Sequence, residues 1–144
     1  GVIQDFHIVN RGSHAITQAL VTTLGVSFTD AEVMKKEYGL TDNPKQPKSR
    51  DVMTTAYEYI LFEAANVVLN YEKKYGKSIS RVIMVGGGVM MKGAADKARE
   101  KFATEVIMGN PFERIEAPAF LEGVLAESGP EFAVAAGLAL RKLH

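Results

Sequence analysis

Cysteine is absent from the 144 residues, which excludes disulfides, thiol nucleophiles and thiolate metal sites and fits a reducing compartment. An excess of one charge is also missing. Lys and Arg number 17 against 17 Asp and Glu, so no overall field draws the molecule to nucleic acid or an anionic membrane, and recognition must be local. No apolar run reaches the roughly 18 residues a membrane-spanning helix needs, and the first residues lack the basic-then-apolar order of a secretory signal. The chain is therefore expected to be cytoplasmic. His7, His14 and His144 are scattered without metal-ligand spacing, so no metal site is assigned. Neither a nucleophile elbow nor a carboxylate pair suited to acid–base chemistry is present, and no catalytic residue is assigned. Apolar residues make up 47% of the chain, enough for a single domain over residues 1–144 with one core.

Val2 to Val9 (VIQDFHIV) is rich in β-branched and aromatic residues and predicts an opening strand, followed by a turn with Ser13 as helix cap. Ile16, Leu20 and Leu24 predict a helix over Ser13 to Leu24, stopped by Gly25. Thr29-Asp30-Ala31-Glu32 has the spacing of a capping box for a second helix that Gly39 ends. Residues 40–50, with Pro44 and Pro47 among polar and basic residues, predict an exposed loop in which Lys45, Lys48 and Arg50 are solvated. Asp51 to Tyr75 runs without Gly or Pro and predicts a long packed helix with Val52, Ala56, Tyr59 or Ile60, Ala64, Val67 and Tyr71 on its buried face. Arg81 to Val85 reads as a strand covered on both faces. A helix over Ala94 to Phe102, a strand over Glu105 to Met108 and a turn at Asn110-Pro111-Phe112 follow. Two helices, Phe120 to Glu127 and Phe132 to Leu143, are expected on either side of Gly129-Pro130. Alternating strands and helices predict an α/β layer arrangement, but about three strands is short of the five or six such sheets usually carry.

The strongest chemical signal is VIMVGGGVMMKG, Val82 to Gly93. Glycines at the carboxyl end of a strand let a ligand reach backbone N–H groups that no side chain shields. This is not a P-loop, because no Gly-Lys-Ser/Thr follows. Nor is it the dinucleotide fingerprint, because Met91 stands at the third glycine position, and Glu105 begins the next strand where an oxidoreductase would end it with a carboxylate. A sharp turn needing glycine for its dihedrals alone explains the triplet equally well. Glu32, Lys35 and Lys36 share a helical face on which a carboxylate accepts from sugar hydroxyls and ammonium groups meet a purine or phosphate; a capping box and a solvated lysine face are the alternatives.

These pieces occur in one order that resembles actin-like ATPases of the PilM and FtsA type. Arg11-Gly12-Ser13-His14-Ala15-Ile16-Thr17 resembles their Gly-Gly-x-x-Ile-Thr turn, with Arg11 in place of the first glycine. Ala31-Glu32-x-x-Lys35-x-x-Tyr38-Gly39 resembles their Ala-Glu-x-x-Lys helix, and Val85-Gly86-Gly87-Gly88 their adenosine motif. Asn110-Pro111-Phe112-Glu113-Arg114-Ile115 and Phe132 to Leu140 are similar to PilM endings in particular. The resemblance covers nearly the whole chain except residues 40–50. It implies the second lobe of an actin-like, ribonuclease-H-like fold that lacks its first strands. It further implies an adenine-nucleotide site formed by Gly12, Glu32, Lys35, Lys36, Gly86, Gly87 and Gly88, with ATP and Mg²⁺ as the cofactor of the full-length protein. A PilN-like inner-membrane partner, a peripheral position at the inner face of the cytoplasmic membrane and a role in type IV pilus biogenesis follow from the same likeness. The alternatives are an FtsA-like cell-division homologue and a non-catalytic scaffold lobe that no longer binds nucleotide. The family's Asp-x-Gly-x-x-x-Thr phosphate loops have no counterpart here, so the chain is not expected to hydrolyse ATP alone, and an open sheet edge is expected to favour self-association.

Overall fold

The computed structural model describes residues 3–113 and 118–141. Val2 of the expected first strand, Arg114 and Ile115 of the family-like ending, and Leu143 and His144 lie outside the described residues. Helices α1 (Ser13–Leu24), α2 (Phe28–Glu37) and α3 (Lys48–Tyr75) precede strand β1 (Arg81–Met84). A 3-10 turn (Gly87–Met90), α4 (Ala94–Lys101), β2 (Glu105–Met108) and α5 (Ala119–Arg141) follow. The two strands pair in parallel, Arg81 with Glu105 through Met84 with Met108, so β1, α4 and β2 form one crossover unit. The chain is mainly helical around a small two-stranded sheet among the described residues. No described helix is long and apolar enough to cross a membrane.

The core lies between α1, α2, α3 and α4. Ile16 and Leu20 of α1, Ala31 of α2, Met53, Tyr57 and Leu61 of α3, Ala94 and Ala98 of α4 and Val106 of β2 form one buried cluster. The Tyr57 hydroxyl donates to the main-chain oxygen of Ala94 at 3.1 Å, and burial pushes the phenol up to about 12. Gly39 lies in the left-handed region, and a side chain there would sit 2.6 Å from the backbone nitrogen of Lys92. The loop after α2 can therefore dock on the loop before α4, joined by Leu40 N–H donating to Lys92 O at 2.9 Å.

Several expectations are corrected. Residues 3–9 form no regular element and join no sheet; Ile3, Phe6 and Ile8 are 85%, 81% and 70% exposed, because a strand needs a neighbour to pair with. His7 is thus not in a sheet. β1 is covered on one face only, with Val82 and Met84 half-buried inward while Ile83 faces out. Residues 40–50 are not a uniformly exposed loop. Leu40, Asn43 and Ser49 are buried, α3 already begins at Lys48, and the Asn43 side chain accepts from the N–H groups of Lys45 and Gln46. Lys45, Lys48 and Arg50 are exposed as expected, Arg50 pairing with Asp42 at 2.9 Å. The most buried stripe of α3 is Met53, Tyr57 and Leu61, not the Tyr59 to Tyr71 series. Finally, α5 runs through Pro130 as one helix.

Candidate functional site

Three elements meet at the start of α1. Gly12 is the N-cap of α1, and no side chain caps it, so the first N–H groups of the helix have no side-chain acceptor. Ser13 is the first helical residue and not the cap expected from the sequence. A side chain built on Gly12 meets nothing within 4 Å, whereas one on Gly88 would lie 3.3 Å from the Ser13 Cβ. The glycine turn after β1 thus packs directly against the first residue of α1. Gly86 has φ 95°, which only glycine adopts readily, and its N–H donates to the Pro130 carbonyl at 2.6 Å. Backbone geometry accounts for Gly86 and close packing for Gly88. Gly87 is exposed, with the Glu131 side chain at ordinary van der Waals distance, and neither explanation requires it.

α2 supplies the charged half. Its N-cap is Ser27, whose hydroxyl accepts from the Asp30 N–H at 3.1 Å. The Thr29–Glu32 capping box is therefore not used, and Glu32 is released for another task. Its Oε1 accepts from Thr17 Oγ1 at 2.5 Å and from Lys35 Nζ at 2.7 Å. Lys35 Nζ also donates to Thr17 Oγ1 at 2.8 Å and reaches the Ser13 main-chain oxygen at 3.5 Å. Helical spacing of three residues puts Glu32 over Lys35, and Thr17 faces both from one turn into α1. The Lys35 side chain is 12% exposed and that of Glu32 43%. Partial burial opposes ionisation of Glu32. The hydrogen bonds from Lys35 and Thr17, with the charges of Lys35 and His14, outweigh that and hold the carboxyl below its ordinary value.

The structure therefore brings Gly12, Glu32, Lys35 and Gly88 around Ser13, with Gly86 and Gly87 continuous with Gly88. Lys36 is exposed and takes no part in the Glu32–Lys35–Thr17 cluster. Thr17 is the residue that sequence reasoning missed as a site member. The available signal was its burial position, four residues after Ser13 and one after the core residue Ile16. A sizeable cavity lies elsewhere. It measures about 700 Å³ and lies between residues 3–9 and α3, bordered by Phe6, Val67, Tyr71 and Lys74, with Asp5 bonded to Lys74 at its edge. It is an open cleft bounded by an unpaired segment and contains none of the converging glycines. Among the described residues no group of three or more His, Cys, Asp or Glu is placed to hold a metal ion.

A family model described as type IV pilus assembly protein PilM matches residues 8–143. Among solved structures, a chain of a PilM-PilN type IV pilus biogenesis complex superposes with a TM-score of 0.76 at 24% identity. The alignment covers 90% of this chain and 36% of that one, so this chain spans little more than a third of the solved chain it matches. At that identity the likeness establishes the fold. A search of curated proteins finds no match.

Proposed function

The chain belongs to the type IV pilus assembly protein PilM family, and from that premise we propose that it is the adenine-nucleotide-binding lobe of a PilM-like, actin-family ATPase in pilus biogenesis. The observation that carries this reading is the convergence at Ser13. A side chain at Gly88 would crowd that of Ser13, and Lys35, paired with Glu32, reaches the Ser13 carbonyl oxygen. A nucleoside needs a flat backbone surface for its base and an acceptor for its sugar hydroxyls. The glycine turn supplies the first and Glu32 the second. Open space in front of Gly12, at the amino end of α1, leaves room for a phosphate beside N–H groups that no side chain caps.

ATP with Mg²⁺ is the cofactor of the full-length protein in this reading. Its metal ligands and phosphate loops are supplied from outside these residues, and the chain binds adenosine or ADP without hydrolysing ATP by itself. A PilN-like inner-membrane protein is the partner of the full-length protein, which acts peripherally at the inner face of the cytoplasmic membrane. The name of the structural neighbour, a PilM-PilN complex, supports that assignment. The unpaired segment 3–9 is the edge through which self-association, or pairing with further strands of a longer chain, takes place. Calorimetric titration with adenosine, ADP and Mg-ATP tests the nucleotide reading. Binding of adenosine and ADP that is lost in Glu32→Lys supports it. A wild-type protein that binds none of the three, either alone or in its longer form, identifies the lobe as a scaffold.

A further inference from the structure

Thr17 is wholly buried, yet its hydroxyl is committed to side chains of another helix. Building on the nucleotide reading above, we propose that Thr17 is a positioning residue. With Lys35 it engages one oxygen of Glu32, so that the other is presented to the hydroxyls of a nucleoside sugar. The assignment follows from counting donors. An ammonium group has three N–H donors and no acceptor, and Lys35 has three acceptors within reach: Glu32 Oε1, Thr17 Oγ1 and the Ser13 carbonyl. With 12% of its side chain exposed, it is held chiefly by Glu32 and Thr17, at 2.7 and 2.8 Å. Glu32 Oε1 takes two donors, one from Thr17 and one from Lys35, whereas Oε2 takes none among the described residues. Oε2 is thus the oxygen with acceptor capacity to spare, on a side chain that is 43% exposed.

A carboxylate oxygen accepts O–H donors and repels phosphate. The end of the ligand that meets α2 is thus the neutral, hydroxyl-bearing sugar, and the phosphates lie away from it. The Thr17 hydroxyl has one proton, and its shorter contact, 2.5 Å to Glu32, takes precedence over the 3.3 Å alternative to the Ser13 carbonyl. The charged and titratable groups that face Glu32 are Lys35 on its own helix and His14 on α1.

The test compares the wild type, Thr17→Val and Thr17→Ser in two measurements. One is titration with adenosine and 2′-deoxyadenosine; the other is NMR titration of the Glu32 carboxyl with no ligand present. Valine keeps the volume and removes the hydroxyl, and serine restores it. The expected loss in Thr17→Val is about tenfold for adenosine, the scale of one charge-assisted hydrogen bond, and smaller for 2′-deoxyadenosine. Thr17→Ser recovers to within about twofold, and the Glu32 midpoint rises in Thr17→Val and returns in Thr17→Ser. Unchanged adenosine affinity in Thr17→Val, equal losses in both variants, or an unmoved Glu32 midpoint overturns the proposal. If the wild type binds neither nucleoside, the nucleotide reading falls and with it the ligand half of the proposal; the carboxyl titration still decides whether Thr17 holds Glu32.

Discussion

At Glu32 a carboxylate gives up part of its hydration and receives two donors in exchange, and the balance leaves it more acidic than a free glutamate. The stability that follows has a definite sign. A group whose folded pKa is lowered stabilises the fold above its unfolded value, about 4.3 for glutamate, and that contribution disappears as pH falls through the folded value. The unfolding temperature of the wild type should therefore exceed that of Glu32→Gln by a constant margin above about pH 5 and converge on it in more acidic solution. The side chain is 43% exposed, so the margin is small. A gap that widens on acidification would contradict the hydrogen-bonded arrangement. Single residues were only half legible in the sequence. Glu32 and Lys35 were visible through their spacing, but Thr29 and Ser27 compete as caps two residues apart, and only the backbone decides for Ser27. Once it does, Glu32 is free to pair with Thr17, a contact across 15 residues that no local pattern encodes.

Among the elements, α1 and β2 run over the residues expected of them, α1 through its helical period and the stop at Gly25, β2 through a short apolar run ended by Gly109. α5 does not. Gly129-Pro130 reads as a break, since proline has no N–H to donate and its ring crowds the preceding turn. The helix continues because both residues are buried and held from outside. The Pro130 carbonyl accepts from Gly86, and Gly129 lies against Asn110, whose side chain is itself fixed by accepting from the Phe112 N–H at 3.0 Å. A side chain at Gly129 would come 2.6 Å from that Asn110 oxygen, while one at Gly123 meets nothing within 4 Å. Gly129→Ala should cost about 1–3 kcal/mol through overpacking, and Gly123→Ala should be neutral or stabilising by up to about 1 kcal/mol through helix propensity. Chemical denaturation of the two variants checks this. Equal effects would mean that α5 is not pinned at its proline.

At the scale of the whole molecule, the two strands and four core helices enclose one apolar cluster, but much apolar surface stays open. Ile83 on the sheet, Phe6 and Ile8 on the unpaired segment, and Phe120, Val124, Val134 and Leu138 on α5 are exposed. Periodicity marked these residues as apolar without saying which would be covered, because coverage depends on elements distant in sequence or belonging to other chains. The order of motifs was legible and led to the family that the chain belongs to. Their meeting point at Ser13 was not, since it depends on how α1, α2 and the glycine turn pack together. The central claim is that this meeting point receives an adenine nucleoside. A backbone-amide NMR titration with adenosine, then ADP, then Mg-ATP, repeated on Glu32→Lys, tests it most directly. The account predicts shifts with adenosine alone at Lys35 and Gly86 to Gly88, joined by Gly12 when ADP is added, all lost in the variant. Shifts confined to the cleft between residues 3–9 and α3, or no shift with any of the three in either the chain or its longer form, would contradict it.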